Sequence, residues 1–81
     1  MEITTIKLKE CPKLASVACP VLYEFEDVDG NFYEFRYRSD VISLSTDKEA
    51  LFKNILDESV WVSDWAEFCY YAYENKRLII S

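Results

Sequence analysis

The sequence predicts an α+β domain: a small antiparallel β-meander of three to five strands with two C-terminal helices packed on one face. Three observations carry this. Residues 21–38 alternate apolar and polar side chains with period two on either side of an Asp-Gly pair, the pattern of a β-hairpin. Helix-start signals follow at Thr46 and near Asp64,. Strand-like segments thus precede helix-like ones instead of alternating with them, which favours an antiparallel sheet with its helices on one side. At 81 residues the chain is expected to form a single domain, 1–81, well below the size at which cores divide.

Taken in order, "EITTIKLKE" at 2–10 sets Ile3, Ile6 and Leu8 among polar residues and reads as a strand,. Residues 11–20, "CPKLASVACP", are bracketed by two Cys-Pro pairs. Proline fixes φ and biases the residue before it toward extended geometry, so this is a loop or an irregular edge segment. In the hairpin, Val21, Tyr23 and Phe25 alternate with Leu22, Glu24 and Glu26, and Tyr33, Phe35 and Tyr37 with Glu34, Arg36 and Arg38. A two-residue Asp29-Gly30 turn would set Phe25 opposite Glu34 and mix the faces. A three-residue loop sets Phe25 opposite Tyr33 and Tyr23 opposite Phe35, and places Gly30 where a left-handed residue is needed. The longer loop is expected.

Ser39-Asp40 should bend the chain into a third meander strand, "VISLS". Thr46-Asp47-Lys48-Glu49 matches a capping box. A first helix is therefore expected, with Leu51, Phe52, Ile55 and Leu56 on one face and Glu49, Lys53 and Asp57 on the other,. A second should begin at Ser63 or Asp64, with Trp65, Phe68, Cys69 and Ala72 inward and Tyr70 and Tyr71 on the outer half among Asp64, Glu67 and Glu74,. "RLII" at 77–80 reads as a short terminal strand.

Asp27-Val28-Asp29-Gly30-Asn31 also looks like half of a calcium loop. Aligning Gly30 with the loop's sixth position puts Asp27 and Asp29 where ligands belong,. The same frame puts Phe25 at position one and Arg36 at position twelve, where a carboxylate is required, and the flanks alternate as strands. The segment is a turn.

Composition excludes several functions. Histidine is absent, which removes the commonest general base and zinc ligand and every Ser-His or Cys-His triad. A single glycine cannot build a Gly-rich phosphate cradle,. Cys11, Cys19 and Cys69 are too widely spaced for a thiolate zinc site; Cys69 sits on an apolar stripe and reads as core. No metal, no other cofactor and no enzymatic activity are expected. The odd cysteine count, the N-terminus "MEITTIKLKE" and the short apolar runs imply a cytoplasmic protein that does not cross a membrane,. A net charge of −6 repels phosphate backbones, so direct nucleic-acid binding is not expected, whereas a basic protein partner is.

The surface expected to meet that partner is the outer face of the second helix. Tyr70, Tyr71 and the upstream Trp61 would be anchors, since such residues dominate interfaces. Asp64, Glu67 and Glu74 would pair with Lys or Arg. Glu24, Glu26 and Glu34 form a second acidic set, spaced roughly 6.6 Å along a strand, with cross-strand Glu–Arg pairing as the competing use of those charges. The profile (small, acidic, aromatic-rich, histidine-free) resembles two groups of occluding proteins: phage-type inhibitors of host nucleases and defence complexes, anti-CRISPR proteins among them, and bacterial immunity proteins or antitoxins. The expected function is stoichiometric occupation of a basic, nucleic-acid-binding surface on a nuclease or similar complex. The alternative is a structural module that forms a homodimer through the same aromatic face.

Overall fold

In a computed structural model, residues 2–18 and 20–81 are described. The elements run β1 (Thr4–Ile6), β2 (Lys13–Val17), β3 (Val21–Glu26), β4 (Phe32–Arg38), β5 (Val41–Thr46), β6 (Ala50–Ile55), α1 (Trp65–Lys76) and β7 (Leu78–Ile80). β2 to β6 form an antiparallel five-stranded meander in chain order, and β1 pairs with β7 in a separate parallel ribbon. The fold is α+β.

The β3–β4 hairpin has the expected register. Phe25 faces Tyr33 and Tyr23 faces Phe35, so one face is continuously aromatic. Gly30 closes the loop at φ +85°, a conformation that costs glycine nothing, and its N–H donates to the Asp27 carbonyl at 3.1 Å,. The aromatic face meets α1. Trp65 packs edge-on against Tyr23, Phe25 and Phe35, and Phe68 packs on Tyr23 and Phe35, with ring centroids 5.1–5.6 Å apart. Each such pair contributes about 1 kcal/mol beyond its burial. Ile42, Leu44, Val62, Phe68 and Ala72 complete a core with no exposed surface.

The helix starts where expected. Asp64 has extended backbone and its carboxylate accepts from the Glu67 N–H at 2.9 Å, a standard N-cap arrangement. It ends at Arg77, which is left-handed at φ 53° and whose N–H donates to Tyr73 O at 2.8 Å,.

Only one C-terminal helix forms among the described residues; the expected first helix is instead β6. The capping-box residues make a tight hairpin loop. Thr46 Oγ1 accepts from the N–H groups of Lys48 and Glu49 at 3.1 Å each, while the Thr46 N–H donates to Glu49 O at 2.8 Å. A hydroxyl that captures following N–H groups serves a turn as well as a helix start. Pairing then decides, because β5 carries the buried Ile42 and Leu44 and gains a ladder partner from β6. Ile55, assigned to the helix's apolar face, is instead 77% exposed.

The N-terminal strand is shorter than expected, Thr4–Ile6, and lies outside the meander. Residues 13–17 form an edge strand with a register shift between Leu14 and Ser16, an irregularity that discourages edge pairing. Cys19, and with it the second Cys-Pro pair, lies outside the described residues. Ser39 and Asp40 are both left-handed, at φ 52° and 65°, in a two-residue connection between the paired Arg38 and Val41. That geometry belongs to Asn-Gly, so this turn is strained. Replacing Ser39 by Asn, which tolerates the left-handed region, should raise the unfolding free energy by about 0.5 kcal/mol in urea titration. No gain would place the strain elsewhere.

Asp27 is 5% exposed and accepts four hydrogen bonds. Oδ1 takes the N–H groups of Asp29 and Asn31, both at 2.9 Å; Oδ2 takes Asn31 Nδ2 at 3.0 Å and the Tyr33 hydroxyl at 2.9 Å. Burial alone would raise its pKa, but these bonds outweigh burial and hold the carboxyl below its ordinary 3.8. Asp57 is lowered too, by the backbone N–H and hydroxyl of Ser59. A folded value below the unfolded one stabilises above pH 3.8, and that stability is lost as pH falls through the folded value. Tyr33 is pushed up to about 12, first by burial and then by Asp27. Its contribution is present below pH 10 and lost as pH rises through about 12. Urea unfolding across a pH series should therefore show an acid limb below pH 3.8 that is shallower in Asp27→Asn, with Asp57 supplying the remainder. An unchanged limb in that variant would remove Asp27 as its source.

Candidate partner-binding surface

The outer face of α1 follows from its inner one. With Phe68 and Ala72 buried against the sheet, a period of 3.6 turns Tyr70, Tyr73 and Glu74 to solvent,. Tyr70 is 57% exposed and its ring meets the edge of Tyr71 at 5.1 Å. Tyr71 differs: it is half-buried against the core. Asp64 is exposed but its carboxylate already serves the helix cap, and Glu67 is half-buried in the first turn. Glu74 is fully available on the last turn.

Trp61 precedes the helix and is 60% exposed, with one edge held against Tyr37 at 5.4 Å. Tyr37 in turn is buried. Its hydroxyl donates to the Val60 carbonyl at 2.9 Å and lies 3.4 Å from Asp40. Burial raises its pKa, and the nearby Asp40 and Tyr71 raise it further. A shallow concavity of about 280 Å³ opens beside Tyr37, between Trp61, Arg38 and Asp40.

The structure does not bring the second acidic set to this surface. Glu24, Glu26 and Glu34 alternate with the residues that face α1 and so occupy the opposite side of the sheet. Cross-strand Glu–Arg pairing is not their arrangement either. Glu24 stands directly opposite Glu34, Arg36 opposite Leu22, and among the described residues no ion pair joins Arg36 or Arg38 to a hairpin glutamate. Lys9 pairs with Glu26 at 3.5 Å, an exposed contact worth under about 1 kcal/mol.

Two features escaped the sequence reading. Tyr73 belongs to the exposed helical face, under Arg77 at 5.0 Å, and its i+3 spacing from Tyr70 was a sufficient signal. Lys53 faces outward beside Arg36 and Arg38 across β5; its assignment to a helix concealed this. A larger cleft of about 510 Å³ lies between the β1–β7 ribbon and the hairpin tips, lined by Ile6, Tyr33, Leu51 and Leu78 among others. Its one strongly perturbed group, Tyr33, is held by Asp27. Cys69, expected in the core, is half-buried and stands outside the core cluster; burial pushes its thiol up to about 11, so the thiolate a metal or nucleophile needs is not formed at neutral pH. Among the described residues no cluster of His, Cys, Asp or Glu could hold a metal ion, and no helix is long and apolar enough to cross a membrane. Comparison with protein-family models, with curated proteins and with solved structures gives no match.

The two tyrosines should separate experimentally. Tyr70→Ala is expected to change stability by less than about 0.5 kcal/mol, as exposed positions do. Tyr71→Ala should cost about 2 kcal/mol because part of its ring is core. Thermal and urea unfolding of the two variants decide this; equal losses would mean that Tyr70 also supports the fold.

Proposed function

We propose that the protein works by binding another protein, as a stoichiometric inhibitor that covers a basic, nucleic-acid-binding surface of its target. The exposure of Trp61 and Tyr70 carries this reading. Two large aromatic side chains, more than half solvent-accessible and accompanied by Tyr73 and Glu74, are costly to leave in water and are the residue types that anchor interfaces. Acidic charge around them suits a partner that presents Lys and Arg, and such charge accelerates association more than it tightens it. The opposite placement of Glu24, Glu26 and Glu34 limits the contact to the helical side; those glutamates act through long-range field and not through touch.

A phage-type counter-defence inhibitor, an immunity protein and an antitoxin all use this mechanism, and they differ in the identity of the target. Self-association through the aromatic face is the competing use of the same residues.

The test is affinity capture from a nuclease-treated lysate by the wild-type protein and by a Trp61→Ala/Tyr70→Ala variant, at low and moderate salt. The expected result is one dominant basic protein, held after nuclease treatment, weakened by salt, and lost in the variant, whose anchors should each contribute about 2 kcal/mol. Capture that is equal for both proteins would move the interface elsewhere. A wild-type dimer that dissociates in the variant, seen by light scattering, would favour self-association.

A further inference from the structure

We propose that the outward face of β4, β5 and β6 is a binding site for a compact phosphate-bearing polyanion, distinct from the helical surface and independent of the function proposed for it. The register carries the proposal. Arg36, Ser43 and Lys53 stand side by side across three strands, because Arg36 pairs with Ser43 and Ser43 with Lys53. Strands are spaced about 4.8 Å apart, so the arginine and lysine Cα atoms stand about 10 Å from each other with the serine between them, within reach of two long side chains closing over it. Arg38 lies two residues from Arg36 on the same face. β5 contributes only Val41, Ser43 and Ser45 there, so its short side chains form the floor of a trough between longer walls. The trough encloses about 390 Å³, the size of a small-ligand site.

Its charges are not engaged within the protein. Among the described residues, Arg36, Arg38 and Lys53 make no ion pair and no side-chain hydrogen bond, in a chain whose net charge is −6. Such a chain has acids to spare, yet three cations gather on one patch with Glu34 as the one carboxylate lining it. Guanidinium forks grip phosphate oxygens in pairs, an ammonium supplies a mobile point charge, and serine hydroxyls donate the remaining bonds.

Ligand class follows from charge and extent. A single carboxylate would neutralise one of the three cations, whereas two linked phosphates match the set. A nucleic-acid strand would run past Glu34 at the trough's edge onto Glu24, which opposes it on the same face, and the two repel a continuing phosphate backbone. The site therefore suits a short ligand such as a diphosphate group.

Amide chemical shifts of the full-length protein, titrated with inorganic pyrophosphate, inorganic phosphate and acetate at constant ionic strength, test this. Pyrophosphate should produce saturable shifts at Arg36, Ser43, Ser45 and Lys53, at least tenfold tighter than phosphate, with none from acetate. An Arg36→Gln/Arg38→Gln/Lys53→Gln variant should keep a dispersed spectrum and lose the saturable shifts. If that variant does not fold, Ser43→Asp, which places a carboxylate among the cations, should abolish binding instead. Equal, non-saturating shifts with all three anions would overturn the site. So would pyrophosphate binding that survives these substitutions. Tighter binding of a single-stranded oligonucleotide than of pyrophosphate would overturn the compact-ligand assignment. None of these outcomes depends on Trp61 or Tyr70, so the helical surface and the trough stand or fall separately.

Discussion

The carboxylate of Asp27 is the constraint on which the rest of the structure depends. Its oxygens take two loop N–H groups, the Asn31 amide and the Tyr33 hydroxyl, so the β3–β4 loop closes in one length and one register. A slip by one residue would turn every hairpin side chain to the other face, placing glutamates under α1. The same residue joins the N-terminal segment to the sheet. Leu8 bridges to Asp27, with Lys9 N–H donating to Glu26 O and Val28 N–H to Lys7 O at 3.0 and 2.9 Å. That segment leads back to β1, which holds β7. A buried charge is stable only when its lone pairs are occupied, and here protein donors occupy them. An acidic turn that resembles half a calcium loop thus uses its leading carboxylate as an internal clamp.

Everything on the functional side is positioned from that clamp outward. The fixed register presents Tyr23, Phe25 and Phe35 as a platform; Trp65 and Phe68 seat α1 on it. Seating α1 by those two residues leaves Tyr70, Tyr73 and Glu74 outside. The alternation that supplies the platform equally sends Glu24, Glu34, Arg36 and Arg38 to the far side. One register therefore creates two faces of different chemistry, one aromatic with acids and the other bearing three unengaged cations beside two opposed glutamates.

The hairpin, its loop length, β5, the N-cap at Asp64 and the inward stripe of α1 were legible in the sequence because each is encoded locally, by period or by a capping residue. β6 was not. Leu51, Phe52, Ile55 and Leu56 fit a helical stripe, and Thr46 to Glu49 fit a helix start; only the exposed edge of β5 demanded a strand, and that demand is non-local. The β1–β7 pairing is equally hidden, since Thr4 meets Leu78 across almost the whole chain. The helical part of the candidate surface was legible for the same reason as the helix, except that Tyr71 proved half core. Its sheet part was less legible where side-to-side neighbours matter: alternation shows that Glu24 and Arg36 share a face, but only pairing shows that Glu24 meets Glu34.

The Glu24–Glu34 opposition is informative in itself. Like charges directly across an antiparallel pair destabilise it, and exchanging Glu34 with Arg36 along the strand would have placed an arginine opposite Glu24. The pairing instead groups Arg36 and Arg38 toward the far end of β4 and sets Glu34 against Glu24 nearer the hairpin loop. Segregating charge in this way lowers hairpin stability slightly and leaves three cations with Glu34 as the one carboxylate beside them, which keeps the local potential of that patch positive. Stability alone does not account for that arrangement. Recognition of an anion on one half of the face does, with the glutamates setting the boundary beyond which a longer polyanion cannot extend.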